Sequence, residues 1–220
     1  MNPLGYYWML AIGYSSIFAV VIGLVRYRKI LATYRIFVLF LVVGFINDNI
    51  ITPLAIFWVW HANAINGNIY VLIESIMLAF MFYKWGSFGK KVLYVLITFF
   101  AVIWILENIV FGSLTQINSI FRLLYALAIV ILSIDEINVT MMHEKKKLSK
   151  NAKFIICCMF ALFYSFKAAF EVFFIVKLGM SENFYNGLFD ILVIINLFTN
   201  LGYALAALWI PTKQKFTLSF

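Results

Sequence analysis

Apolar runs approaching or exceeding the roughly 17–25 residues that cross a bilayer recur along this chain of 220 residues. Seven fall near residues 4–25, 36–57, 68–85, 91–111, 117–135, 153–176 and 186–209. Backbone polar groups in hydrocarbon need partners within their own segment, so such runs fold as helices. Composition points the same way. Apolar residues make up 65% of the chain and charged residues 12%, with mean hydropathy +1.00, against roughly 45–50% and 25% in soluble domains. A core cannot absorb that much apolar surface, which must then face lipid. The expected fold class is all-α: a single-domain, polytopic membrane protein with seven transmembrane helices.

The loops set an orientation. Arg26, Arg28, Lys29 and Arg35 follow the first segment, and Lys84, Lys90 and Lys91 follow the third. Lys145, Lys146, Lys147, Lys150 and Lys153 follow the fifth, and Lys213 and Lys215 follow the seventh. The opposite loops carry only Lys177. The positive-inside rule therefore places the N-terminus outside and the C-terminus in the cytoplasm. This topology explains the net charge of +8 better than a nucleic-acid partner does. Trp8, Trp58 and Trp60 fall at the outer boundary, Trp85 and Trp209 at the inner one, as interfacial belts require.

The first segment has no basic residues before it and is too long for the apolar core of a signal peptide, so it reads as a span. No soluble domain is expected. The longest polar stretch, about residues 135–152, reads as a basic cytoplasmic loop. Cys157 and Cys158 are adjacent in an apolar run and read as small buried hydrophobes. With only His61 and His143, on opposite sides, no three-histidine metal site can form, and no cofactor is expected.

Five of the nine carboxylates lie inside these segments: Asp48, Glu74, Glu107, Glu171 and Asp190. Arg122 and Lys167 join them. Each such charge costs at least about 2.5 kcal/mol to insert, which makes it a candidate functional residue. Counting at about 1.5 Å per residue from the expected helix ends puts all seven in a slab about 6–15 Å below the outer surface. The inner half is almost free of charge, so a pocket opening outward is expected. Lys167 and Glu171 are four apart and can pair on one helix face. Arg122 is expected to find Glu74 or Asp190. The run Asn47, Asp48 and Asn49 followed by Pro53 predicts a kink or unwound turn in the second helix. Asn47, Asn49, Asn108, Asn196 and Asn200 add neutral donors and acceptors.

Three strings also carry a resemblance. "NIYVLIESIMLAFMFYKW" at 68–85, "FRLLYALAIVILSI" at 121–134 and "NLFTNLGYALAALW" at 196–209 resemble the third, fifth and seventh helices of a family of uncharacterised bacterial seven-helix integral membrane proteins. The resemblance implies the seven-helix layout and points to Tyr70 and Glu74 as site residues. At the level of fold the layout is also similar to transporter–opsin–receptor bundles, although residues 186–209 hold no lysine for a retinal linkage.

The expected role is binding, in a buried acidic pocket, of a cation, a proton or a small polar ligand, for sensing or transport across the bacterial inner membrane. The ligand-binding candidates are Asp48, Tyr70, Glu74, Arg122, Lys167, Glu171 and Asp190. Two alternatives stand beside it. Paired carboxylates can serve an intramembrane lipid hydrolase as general acid and base. Alternatively, the chain is an accessory subunit of a larger membrane complex, packed against a protein partner or a second copy of itself.

Overall fold

The computed structural model describes residues 13–58, 62–143, 147–176 and 181–213, and these are all-α. Seven helices follow one another. α1 is Ser16–Arg26. α2 runs Arg35–Ile46, passes through a π-turn at Asn47–Ile51, and continues as Thr52–Trp58. α3 is Ala62–Trp85. α4 is Lys90–Ile105 and ends in a second π-turn, Leu106–Val110. α5, α6 and α7 are Ser119–His143, Ala152–Val176 and Glu182–Trp209. Each helix packs on its chain neighbours, α7 packs back on α1, and α3 also touches α5. The result is a closed ring in chain order.

Among the described residues, five stretches are long and apolar enough to cross a membrane: Ala32–Ile56, Ala62–Trp85, Lys90–Val110, Ala152–Val176 and Asn186–Trp209. α1 is a shorter apolar helix among the described residues, and residues 4–12 of the expected first span lie outside them. α5 has 25 residues but carries Arg122, Asp135 and Glu136. Outward faces are greasy throughout: Phe18, Val25, Val95, Ile131 and Phe198 are all exposed. A soluble protein would cover such side chains or form a partner interface with them. Trp8, Trp60, His61, Lys177 and the side chain of Trp58 fall outside the described residues.

Helix ends are set by local chemistry. Ser181 caps α7 by accepting from the Phe184 N–H at 3.3 Å, and Asn151 does the same for α6 through Phe154 at 3.1 Å. Gly86, at φ +83°, ends α3, with the Ser87 N–H returning to the Phe82 carbonyl at 3.2 Å. That bond closes a Schellman-type turn which a Cβ would strain. The Arg26 guanidinium donates to the Ala207 carbonyl at 2.5 Å, to that of Leu208, and to that of Ile210 at 3.0 Å. It thus fills the orphan acceptors at the end of α7 and meets its dipole. Leu31 and Lys213 donate backbone N–H groups to Pro211 and Lys29 at 3.0 and 2.9 Å, tying the chain's last described residues to the loop after α1.

Two boundaries differ from the expected ones. Residues 62–67, which precede the third apolar run, are helical because Asn66 and Asn68 spend their amides on neighbouring elements. α5 runs on to His143 because Glu136 is buried and held by Lys153 and by the Ser87 hydroxyl. Part of the expected basic loop is therefore a helix end, pinned to α6 and to the turn after α3.

The core is aromatic. Phe40, Phe160, Tyr164 and Tyr203 meet with ring centroids 5.5–6.3 Å apart, mostly edge to face, the favoured geometry for such pairs. This cluster lies beneath the polar site described next and separates it from the basic end.

Candidate functional site

Glu74 is the hub. With α3 starting at Ala62 it lies twelve residues into the helix, about 18 Å along it, so it sits near the helix midpoint and deeper than the expected slab. Only 4% of it is exposed. A carboxylate there is tolerable only if its oxygens are satisfied. Tyr164 donates its hydroxyl to Oε1 at 2.8 Å and Tyr125 donates to Oε2 at 2.6 Å. The Lys167 ammonium reaches Oε2 at 3.2 Å and also donates to the Tyr125 hydroxyl. Lys167 lies over the rings of Tyr125 and Tyr164, 5.1 and 5.4 Å from their centroids. The cation thus has π-faces as well as a counter-charge.

A cleft opens beside Glu74. α2 contributes Phe40, Gly44, Phe45 and Asp48, and α3 contributes Tyr70 and Glu74. Phe163 and Tyr164 come from α6, and Asn196, Thr199, Asn200 and Tyr203 from one face of α7. About 70 Å³ of it admits the centre of a water molecule. Ser16, Asp48, Phe163, Asn196 and Asn200 also line a wider hollow of about 410 Å³ that reaches Gly13, Thr52 and Phe189, towards the end opposite the basic loops. Gly44 leaves the space that Tyr70 needs, since a Cβ there would lie 3.2 Å from the Tyr70 hydroxyl oxygen.

Asp48 stands where the two hollows meet. The π-turn puts it there. Pro53 has no N–H for the Asn49 carbonyl, and the Thr52 N–H bonds instead to Asn47, one residue further back. Asn49 then donates its amide to the Phe45 carbonyl at 3.1 Å. Asn66 of α3 bonds Asn47 at 3.0 Å and Thr52 at 3.1 Å, which clamps the turn. The Asp48 carboxylate accepts one hydrogen bond, from the Asn47 amide at 2.9 Å, and no described cation lies within ion-pair distance of it.

α4 uses the same device for another end. Asn108 donates to the Trp104 carbonyl at 3.0 Å, and the π-turn swings Glu107 across to α5. There the carboxylate accepts the backbone N–H groups of Ile120 and Phe121 at 2.8 and 2.6 Å. Glu107 is therefore a cap borrowed from a neighbouring helix, placed at the positive end of the α5 dipole.

The remaining candidates are dispersed. Arg122 does not pair with Glu74 or Asp190. It donates to the Asn68 side chain at 3.2 Å, passing over Gly67, where a Cβ would come within 2.9 Å of the guanidinium. Asn68 is itself bound to the Leu114 and Gln116 carbonyls. Glu171 is buried with Ser119 and Arg122 beside it, and Lys167, expected to pair with it, turns to Glu74 instead. Asp190 is exposed and lines neither hollow. Asp48, Tyr70 and Glu74 share the cleft, and Lys167 backs it from behind Glu74.

Charge counting alone misses Tyr125, Tyr164 and Thr199. Tyr164 sits three residues before Lys167, on the same face of α6, and that spacing was a usable signal. Tyr125 had none. Compared with known family models, characterised proteins and solved structures, the chain matches none.

Proposed function

We propose that the chain is a multi-pass protein of the bacterial inner membrane in which all seven helices span the bilayer, N-terminus outside and C-terminus in the cytoplasm. Its cleft binds a cation, a proton or a small polar ligand that enters from the outer face, for sensing or transport. The same proposal groups it with the bacterial seven-helix proteins that it resembles. Clustering of the lysines and arginines at one end supports the orientation.

One observation carries the reading: a carboxylate without a described counter-ion, Asp48, lines a polar cleft beside an irregular turn. Binding sites of membrane bundles are commonly built at such interrupted helices. The hydrolase alternative has less support. Two carboxylates would have to act on one reacting centre, and Glu74 already spends its oxygens on two tyrosines and a lysine.

The test is thermal unfolding of the detergent-purified protein against a panel of inorganic cations, amines and neutral polar molecules. A ligand at 100 times its dissociation constant stabilises by about 2.7 kcal/mol. A saturable shift, lost in Asp48→Asn, is expected. A flat response to the whole panel would sink the proposal and favour an accessory subunit.

A further inference from the structure

The proposed ligand cleft has a charge balance, a wall chemistry and a size, and together these select a class of ligand. We infer that the cleft takes a small organic ammonium ion, its head at Asp48 and a hydrogen-bonding tail at Asn196, Thr199 and Asn200. This rests on the reading of the cleft as a ligand site.

Two carboxylates line the cleft. Lys167 already compensates Glu74, so its charge is spoken for. Asp48 has no described counter-ion, which fixes where a positive head belongs. The tail position comes from an independent feature. Thr199 is 1% exposed, faces the cleft, and its hydroxyl has no partner among the described residues. Buried hydroxyls are normally hydrogen-bonded, so this one is a vacant donor and acceptor in the cleft wall. Asn200 donates to Ser15 at 2.9 Å, and among the described residues its amide oxygen is free to accept. Asn196, one turn away on the same face of α7, adds a second amide.

The described residues hold no cluster of three Asp, Glu, His or Cys side chains, so a hard cation would have to complete its roughly six oxygen ligands from amides, hydroxyls and water. Phe45, Tyr70 and Phe163 supply ring surface instead, which suits an ammonium carried on a carbon chain. Size narrows the class further. One water needs about 10–15 Å³ of centre-accessible room, so the 70 Å³ of the inner cleft holds roughly five to seven waters, or about as many non-hydrogen atoms.

Isothermal titration of the full chain in detergent separates the outcomes. The probes are 2-(2-aminoethoxy)ethanol as its ammonium salt, butylammonium, ethylene glycol, and sodium, potassium and magnesium chlorides at matched ionic strength. Both ammonium ions are expected to saturate, the hydroxylated one more tightly, with the other probes silent. Asp48→Asn weakens both at least about tenfold. Thr199→Val weakens only the hydroxylated amine, by about fivefold, and leaves butylammonium unchanged. Because that substitution keeps the side-chain shape, it serves even where Asp48→Asn fails to fold. Equal effects of Thr199→Val on both amines would overturn the tail assignment. Saturation by an inorganic cation or by ethylene glycol, with the amines silent, would overturn the ammonium assignment while leaving a ligand cleft. Silence from every probe would overturn both.

Discussion

Removing the lysine from the Glu74–Lys167 pair is expected to cost far more than removing both charges together. At 3.2 Å and an effective dielectric of about 20, the pair attracts by about 5 kcal/mol. Desolvation offsets much of that while both partners are present. Lys167→Met leaves Glu74 buried without its cation, and a stranded charge of this kind costs about 3–5 kcal/mol. Glu74→Gln in the same chain removes the stranded charge, so the double variant should recover part of the loss. The coupling energy is expected at about 1.5–3 kcal/mol. Neutral interhelical hydrogen bonds in a bundle average only about 0.6 kcal/mol, so the measurement separates a charge pair from ordinary helix adhesion. Equilibrium unfolding in mixed micelles gives all four corners of the cycle, with the exposed Lys84→Met as a near-neutral control. Tyr125→Phe and Tyr164→Phe should each cost about 1.5–3 kcal/mol, because each hydroxyl serves a charged acceptor. Additivity within about 0.5 kcal/mol would refute the coupled site.

Of three further outcomes, two come from single contacts and one from the proposed topology. Glu107→Ala removes the acceptor for two backbone N–H groups of α5 and should cost about 1–2 kcal/mol, with faster hydrogen exchange confined to the first turn of that helix. Gly202→Ala drives a methyl group into the Met159 sulfur and should cost about 1–3 kcal/mol by overpacking; Met159→Ala should relieve the clash, which unfolding of the double variant checks. For topology, in a chain carrying Cys157→Ala and Cys158→Ala, Ser113→Cys is expected to react with a membrane-impermeant thiol reagent in intact cells and Ser149→Cys only after lysis. The reverse pattern would invert the proposed orientation.

Much of the architecture was legible because hydrocarbon imposes a coarse rule: long apolar runs become helices, and basic loops gather at one end. The irregularity in α2 was legible too, since Pro53 removes a donor that a straight helix needs. Depth, by contrast, misled. Counting from apolar boundaries started α3 at residue 68, because Asn63, Asn66 and Gly67 look like loop. The Asn66 and Asn68 amides gain partners only once α2 and the 111–118 connection are in place, so no local signal marks the true start. Rotation misled as well. Asp190 lies nine residues before Thr199, which at about 100° per residue puts the two on opposite faces of α7. Thr199 faces the cleft and Asp190 faces out. Which face turns inward is decided by packing, here by contacts such as that of Gly202 with Met159 on α6.

The two π-turns explain why acidic residues of similar sequence context end in different employment. In each, an asparagine side chain returns to the carbonyl four residues back, Asn49 to Phe45 and Asn108 to Trp104. That bond gives the amide a partner in an apolar setting, where an unpaired donor is costly. Each turn then presents the acid just before that asparagine. Glu107 meets the free N–H groups of a neighbouring helix start, and its oxygens are consumed by backbone. Asp48 meets a cleft, and its only described bond comes from the adjacent Asn47. A carboxylate whose hydrogen-bonding capacity is filled by the fold has structural work; one left with lone pairs facing a cleft is available to a ligand. By that reasoning Glu107→Gln should change stability and leave amine binding intact, whereas Asp48→Asn should do the opposite. If the two substitutions exchanged those effects, the argument from spare hydrogen-bonding capacity would fail.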